Sequence, residues 1–278
     1  MNTLKSNFAT TSPAGQLFNS AYVSAFFRSR FLAAKALSSH HTRCSQRAWV
    51  PFLLTVFALT AADASAEIPR GTEGKPDFSG IWQTLSTADD SLEAHSARRG
   101  VPPGPGIAEV GIIHYKPGAL AQHEKNFVER ATADPASQCF SLGTPRAVYY
   151  PEPFQIFQRD RDLTLLFQFS HRARTIHTNG SLHPEGPIGF WFGDSRATWE
   201  GDTLVVDVVD FTSDTWLDSA GNYHSEQLHV TERWQLLDEN TLEYTATLED
   251  PEVYTQPWSI NVLLYRHREP NFQLIENT

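Results

Sequence analysis

The sequence predicts a mainly β protein whose principal domain is a single antiparallel, up-and-down β-barrel. From Phe154 onward, apolar and polar residues alternate in short runs, and short polar turns separate most of the runs. One helix and long loops precede these runs. Closure of successive hairpins into a barrel would remove the exposed edges that an open row of strands leaves. A two-sheet β-sandwich is the alternative architecture.

The residues before the β region are predicted to form a strand, a long loop and a helix. The loop and the helix together make up residues 86–135. Pro117 suits the first turn of a helix, and Asp134-Pro135 would end it. We expect part of one helix face to be apolar and buried, formed by Leu120, Phe127 and Val128. The expected elements are a strand entered at Asp77–Trp82, a loop at 86–116 and a helix from Pro117 to about Thr132.

Strand candidates then follow one another along the chain, for a total of roughly nine or ten. Asn179-Gly180 is a tight-turn pair, and the candidate before it is expected to continue the run that begins at Leu163. The candidates are Phe154–Gln158, Leu163–Ser170, Arg172–Thr178, Ser195–Trp199, Thr203–Asp210, Leu228–Leu237, Thr241–Glu249, Trp258–Arg268 and Phe272–Glu276.

Residues 1–66 are predicted to be a removed leader, an over-long start followed by a bacterial signal peptide. The stretch Ala48–Ala62 is almost wholly apolar, follows two arginines and leads into the small-residue pattern Ala64-Ser65-Ala66 before Glu67. A retained membrane anchor is the alternative, although a spanning helix needs roughly 20 apolar residues. These features predict a secreted or periplasmic protein with one domain at residues 67–278 and no membrane span after processing.

The predicted mature part is strongly acidic. The chain has 22 Lys+Arg and 32 Asp+Glu, of which six and one precede Glu67, so the mature balance is 16 minus 31, or −15. Because phosphates need a basic protein face, this charge argues against a nucleic-acid partner. Cys44 lies in the leader, so Cys139 has no internal disulfide partner in the mature part, and we expect its thiol to be buried.

Arginines in the run from Leu163 to Thr178 are the first candidates for a binding site. Strand alternation places Arg172 and Arg174 on one face. This face could meet solvent, or it could line the barrel interior and hold an anionic ligand through bidentate hydrogen bonds. Burial would require an acidic partner, for which Glu232 is available. The same alternation puts Gln168 and Ser170 with the arginines, and Leu163, Leu165, Phe167, Phe169, His171 and His177 on the opposite face.

Histidines and one glutamate form the densest group of candidate catalytic or metal-ligating residues. In neither a strand nor a helical turn would His224 and His229 point the same way, so the HExxH arrangement of zinc proteases is absent. A divalent metal would therefore need ligands from separate strands. Acid/base catalysis is a second interpretation, because imidazole titrates near neutral pH, and structural hydrogen bonding is a third. The possible metal ligands are His177, His183, His224, Glu226 and His229, and the candidate catalytic residues are His177, His224, Glu226 and Arg174.

Tryptophans in or beside the predicted strands fit either a core or a pocket. A pocket that combines Trp, His and Arg suits a small amphipathic ligand. The sequence lacks a nucleophile elbow, a P-loop and a dinucleotide-binding fingerprint. The candidate ligand contacts are Arg172, Trp191, Trp199, Trp258 and Glu232.

Five groups of short strings carry a resemblance to a known family. They are Cys139–Arg146, Arg174–Gly180 with His183-Pro184, Trp199–Val206 (WEGDTLVV), His224-Ser225-Glu226 through Glu232-Arg233, and Glu249-Asp250-Pro251 with Pro257-Trp258. The chain from about Pro76 onward resembles a family of secreted bacterial β-rich proteins of unassigned function. Members often carry a second cysteine beyond the point where this chain stops, so the resemblance leaves the pairing of Cys139 open.

Gly80-Ile81-Trp82 resembles the G-x-W motif of lipocalins, which implies a lipocalin-like barrel with a ligand cavity. The expected function is a secreted or periplasmic small-molecule enzyme with a barrel pocket lined by His, Glu, Arg and Trp. Its chemistry would be acid/base or metal-assisted, of lyase, isomerase, cyclase or hydrolase type. The alternative is a non-catalytic, lipocalin-like protein that binds a small ligand.

Overall fold

Nine strands close into one barrel in the computed structural model, which describes residues 68–98 and 101–276. The barrel and its one long helix confirm the predicted fold class, and the sandwich alternative is not observed. The strands are β1 (Gly80–Thr84), β2 (Phe154–Gln158), β3 (Asp162–Phe167), β4 (Ala173–His177), β5 (Asp194–Glu200), β6 (Thr203–Val209), β7 (His229–Leu236), β8 (Thr241–Glu249) and β9 (Trp258–Arg266). The helices are α1 (Pro117–Ala133) and the short α2 (Arg146–Tyr149), with 3₁₀ turns at Pro135–Gln138 and Phe169–His171.

Neighbouring strands run antiparallel at eight of the nine contacts around the barrel, and only β4 and β5 are parallel. A closed ring of strands returns to its starting direction only if the number of antiparallel contacts is even. Nine strands therefore require at least one parallel contact, which the prediction of a wholly antiparallel barrel missed. Because a hairpin cannot join parallel neighbours, residues 178–193 return the chain to the end of the barrel at which β4 begins. We call residues 178–193 the crossover segment.

Side chains from alternate positions of the strands fill the barrel interior. Along β8 and β9 every second residue is buried, as the period-two pattern predicted. Residues as large as Trp82, Trp234 and Tyr244 are at most 1 % exposed. Apolar burial contributes roughly 25 cal/mol per Å², so this packed interior is the main source of stability.

Gly80 and Trp82 of the G-x-W motif form the starting point of the barrel. The ring of Trp82 is covered by the guanidinium of Arg266, 4.3 Å from the ring centroid, at the end of β9. Gly80 has a φ of 140°, and a Cβ at this position would lie 2.5 Å from Nη1 of Arg266. A glycine is therefore needed for the arginine to reach the tryptophan.

Helix α1 buries a different face from the one predicted. Leu120, Phe127 and Val128 are exposed, whereas Ala119 and Asn126 are buried. Nδ2 of Asn126 donates a hydrogen bond to the carbonyl oxygen of Gly221. Because the contact is polar and is made to a loop, the spacing of apolar residues could not identify this face.

A chain reversal separates β3 from β4, where the sequence predicted one continuous run. Ser170 and His171 have φ values of 58° and 49° in the turn, and Leu165 then pairs with Arg174 across the antiparallel contact. The predicted faces are wrong for this reason. Arg174 lies inside the barrel with Leu163, Leu165 and Phe167, whereas His171 and Arg172 are exposed and His177 is half-buried on the outer face.

The last predicted strand, Phe272–Glu276, is not a strand. Asn271 has a φ of 70°, and the ring of Phe272 stacks on His267 with 3.8 Å between ring centroids. The chain end therefore folds back beside the end of β9 and does not pair as a tenth strand.

The predicted leader, residues 1–66, and its cleavage site lie outside the described residues. Among the residues that are described, no helix combines the length and the apolar character that a membrane crossing requires.

Candidate functional site

Two predicted site residues, Arg174 and Glu232, meet as an ion pair inside the barrel. Nη1 and Nη2 of Arg174 donate to Oε1 and Oε2 of Glu232, each at 2.9 Å, and Nε and Nη2 also donate to Oγ of Ser195 at 3.1 and 2.9 Å. The hydroxyl of Tyr244 donates to Oε1 of Glu232 at 2.7 Å, and Nε1 of Trp234 donates to Oε2. Arg174 and Glu232 are 2 % and 0 % exposed. Each nitrogen of the guanidinium thus has at least one acceptor within the protein.

The same burial affects the tyrosine that completes this network. Desolvation, followed by the nearby charge of Glu232, raises the pKa of Tyr244 well above its usual value. Tyr244 therefore remains a neutral donor to the carboxylate. A buried pair with every partner in place stabilises one arrangement of the core, which is a structural role for two residues predicted to act on a ligand.

His224, a predicted catalytic residue, is buried elsewhere and 1 % exposed. Its Nδ1 lies 2.9 Å from the carbonyl oxygen of Ser225, and because a carbonyl only accepts, Nδ1 carries the proton. Nε2 then accepts from the hydroxyl of Thr215 at 2.7 Å. Burial lowers the pKa of His224, so the ring is neutral at pH 7. Glu226, two residues further on, is exposed.

The four predicted catalytic residues therefore have separate surroundings. Within the described ranges, no hydrogen bond links Arg174, His177, His224 and Glu226 to one another. Nor do those ranges contain three or more His, Cys, Asp or Glu side chains that are placed to hold a metal ion.

Two of the other candidate ligands, His183 and His229, do come together on the outer face of the barrel. Asp207 of β6 contacts Nε2 of His183 at 3.0 Å through one oxygen and Nε2 of His229 through the other. Nδ1 of His183 lies 2.6 Å from Oδ2 of Asp194, which also accepts from Nε of Arg196 at 2.6 Å. We call these five residues the histidine–aspartate cluster.

Both carboxylates of the histidine–aspartate cluster are held in the ionised form. Burial alone would raise the pKa of Asp194 and Asp207, but hydrogen bonds hold both values below the usual range, from Arg196 and His183 for Asp194 and from His229 and His183 for Asp207. An ionised carboxylate only accepts hydrogen bonds. The two contacts of His183 therefore form together only when both of its ring nitrogens carry protons.

Two predicted ligand contacts, Arg172 and Trp191, line one groove at the end of the barrel where β4 and β5 begin. The groove has a volume of about 520 Å³, within the range of small-molecule sites. We call it the rim groove. It is lined by Cys139, Phe140, Ser141, Ser170, Arg172, Ala173, Trp191 and Phe192.

Aromatic rings form the walls of the rim groove. Phe140 and Trp191 stack with 5.7 Å between ring centroids and 25° between planes. The indole is fixed because its Nε1 donates to the carbonyl oxygen of Ser141 at 2.6 Å. Phe140 remains 51 % exposed, so a ligand can reach this aromatic surface.

Two polar side chains that line the rim groove, Arg172 and Ser170, are unpaired among the described residues. Arg172 is exposed and makes no ion pair there, and the buried Oγ of Ser170 has no hydrogen-bond partner. Cys139 is a free, exposed cysteine, which contradicts the expected burial of its thiol. Cys139 caps the 3₁₀ turn in a left-handed conformation, with a φ of 65°, at a point where the flanking residues Gln138 and Phe140 are also exposed.

Strained backbone is concentrated beside the rim groove. Among the described non-glycine residues with positive φ, Cys139 and Ser170 line the groove, and His171 lies between Ser170 and Arg172. Such conformations cost roughly 1–3 kcal/mol each and cluster at binding and active sites.

Trp199 and Trp258 lie apart from the rim groove. Trp199 lines a smaller, polar pocket of about 180 Å³ together with Lys75 and Arg159, beside the turn between β2 and β3. Trp258 is buried, and its Nε1 has no hydrogen-bond partner among the described residues. The five predicted ligand contacts thus divide between the rim groove, the polar pocket and the core.

Several residues of these sites were not singled out as functional from the sequence. Phe140 could have been noticed, because it lies in one of the strings that carry the family resemblance. Ser170 gave no signal, since its role depends on the unexpected turn between β3 and β4. In the sequence, Asp194 and Asp207 are indistinguishable from other polar residues of strands. They become part of a cluster only because the crossover segment places His183 beside them.

Comparison of the chain with protein-family models and with curated proteins found no match.

Proposed function

We propose that this chain is a small-molecule binding protein and that its ligand occupies the rim groove. The observation that carries the proposal is the combination of an accessible aromatic wall, Phe140 and Trp191, with the unpaired Arg172 in one groove of about 520 Å³. Groups that are fixed before a ligand arrives lower the entropic cost of binding. The packed interior and the paired Arg174 argue against a ligand in the barrel lumen.

Titration with 1-anilinonaphthalene-8-sulfonate, an aromatic anion that fluoresces when its surroundings are apolar, tests the rim groove. We expect Trp191→Ala and Arg172→Ala each to weaken binding by about tenfold, because each removes a central contact. Trp199→Phe and Arg159→Ala are matched controls, since they change the same residue types in the polar pocket. Equal affinity in the two groove variants and the two controls would refute the proposal.

The protein is also proposed to act outside the cytoplasm, after removal of residues 1–66. The order of basic flank, apolar core and Ala64-Ser65-Ala66 supports this location. N-terminal sequencing of protein recovered from periplasm or medium is expected to begin near Glu67. Soluble protein that retains residues 48–66 would contradict the proposal.

Acid/base catalysis is a second candidate function, favoured by the histidine–aspartate cluster. Asp194, His183, Asp207 and His229 form a continuous chain of hydrogen bonds, and imidazoles paired with carboxylates can move protons. Mass spectrometry of a ligand identified for the rim groove, after incubation with the protein, measures turnover. Catalysis predicts a product that His183→Gln and His229→Gln reduce by about 100-fold. Recovery of unchanged ligand leaves binding as the function.

A further inference from the structure

We propose that the ligand of the rim groove is a planar aromatic carboxylate, held by Arg172 at one end and by Phe140 and Trp191 along its rings. This inference rests on the proposed binding function and specifies the ligand's chemistry.

The charge of the groove selects an anion. Arg172 is the groove's charged side chain, and it has no acidic partner among the described residues. The residues that line the groove include no Asp or Glu, so no acidic side chain there offsets this positive charge. Arg146, Arg174 and Arg196, by contrast, each have a carboxylate at 2.6–2.9 Å. The partner of Arg172 is therefore supplied by the ligand.

The shape of the donors selects a carboxylate. A guanidinium presents parallel N–H groups that match the two oxygens of a carboxylate in a bidentate pair. An acid can thus satisfy the guanidinium of Arg172, which is unpaired in the described structure, and a neutral apolar molecule leaves it unpaired.

The walls of the groove select a flat apolar body. Phe140 and Trp191 are stacked, and Phe192 is itself stacked on Phe167 with 5.6 Å between centroids and 8° between planes. Aromatic ligands gain from offset or edge contacts with such rings. Because the hydrogen bond from Trp191 to Ser141 holds the indole in place, little side-chain entropy is lost when a ring packs against it.

Calorimetric titrations of the full mature protein with 1-naphthoate, its neutral analogue 1-naphthamide, and octanoate test this inference. We expect 1-naphthoate to bind at least about tenfold more tightly than 1-naphthamide, because charge-assisted hydrogen bonds are the stronger ones. Octanoate, which has the charge but no ring, is expected to bind more weakly than 1-naphthoate. Raising the salt concentration should weaken the binding of 1-naphthoate but not that of 1-naphthamide.

Substitutions then assign the preference to its groups. Arg172→Gln is expected to abolish the preference for 1-naphthoate over 1-naphthamide. Trp191→Phe, which keeps an aromatic wall, and Trp191→Ala are expected to weaken both naphthyl probes without changing their ratio. Arg159→Gln, in the polar pocket, is the matched control and should change nothing.

The outcomes separate this inference from the proposed function. Equal binding of the acid and the amide, both weakened by Trp191→Ala, would overturn the carboxylate preference and leave the groove as a binding site. If neither Trp191→Ala nor Arg172→Gln alters the binding of the two naphthyl probes, both the inference and the proposed function are overturned. The same holds if neither naphthyl probe binds.

Discussion

The buried carboxylate of Glu232 forms its ion pair with one cation, Arg174. Inside the barrel it accepts hydrogen bonds from Arg174, Tyr244 and Trp234. Replacing Glu232 with Gln removes the negative charge but leaves the guanidinium of Arg174 buried. We expect this change to lower the free energy of unfolding by about 3–5 kcal/mol, measured by urea denaturation with tryptophan fluorescence.

A matched control for this prediction lies one residue away. Arg233 forms an exposed ion pair with Glu200 at 3.1 Å, and Arg233→Gln should change the free energy of unfolding by less than about 1 kcal/mol. The paired replacement Arg174→Met with Glu232→Leu is expected to restore most of the loss, since it leaves no buried charge. If Glu232→Gln lowers the free energy of unfolding no more than Arg233→Gln does, the buried ion pair of Arg174 and Glu232 does not have the stabilising role described above.

Asp218 links the stability of the fold to pH. Burial raises its pKa to about 6, although the backbone N–H of Leu92 and both the backbone and the side chain of Asn222 donate to it. In the unfolded chain an aspartate titrates near pH 4, so the folded protein binds this proton more tightly. The contribution of Asp218 to stability is therefore greatest below about pH 4 and falls by roughly 3 kcal/mol as the pH rises to about 6.

Asp218→Asn isolates this contribution, because asparagine does not titrate. Urea denaturation of both proteins between pH 4 and pH 8 gives the difference in their free energies of unfolding. The free energy of unfolding of the wild type should rise relative to that of Asp218→Asn as the pH falls from 6 to 4. Above about pH 7 the difference should not change. A difference that does not vary with pH would show that Asp218 titrates normally in the folded state.

At the scale of elements, the crossover segment is held down by His183. The ring of His183 joins the segment to Asp194 of β5 and Asp207 of β6. His183→Ala removes both contacts, and we expect subtilisin to cleave residues 178–190 roughly tenfold faster or more, because the open form becomes more populated. Leu182→Ala is the control, since the neighbouring Leu182 is 88 % exposed and its loss should not change the rate. Equal cleavage of both variants would contradict the anchoring role.

The strands could be predicted from sequence where burial follows alternation, and the other elements show why that rule has limits. β8 and β9 bury every second residue, and their predicted and observed bounds agree within two residues. The turn between β3 and β4 was missed because Ser170 and His171 adopt positive φ without a glycine or asparagine to indicate it. The buried face of α1 was missed because Asn126 makes a polar contact with a loop distant in sequence.

At the scale of the whole molecule, closure of the barrel could be predicted but its strand directions could not. Alternation shows which residues face inward, but it does not distinguish nine strands from ten. This count decides whether a parallel contact is required. Predicting the candidate site would have needed the same strand count. The parallel contact of β4 and β5 creates the crossover segment, which carries both His183 and Trp191. Arg172 and Trp191 were therefore named as candidates, but their meeting in one groove could not be foreseen.

The contact between β1 and β9 means that the barrel can begin at a different point in the chain. Nη2 of Arg266 donates to the carbonyl oxygen of Asp77, so the end of β9 lies beside the start of β1. A circular permutant that joins Arg268 to Asp77 through a short glycine-containing turn, with new ends in the crossover segment at Glu185, retains all nine strand contacts. We expect it to keep the β-type circular dichroism spectrum and cooperative unfolding of the parent, because exposed loops tolerate new chain ends. The order in which the strands are synthesised is then not what specifies the barrel.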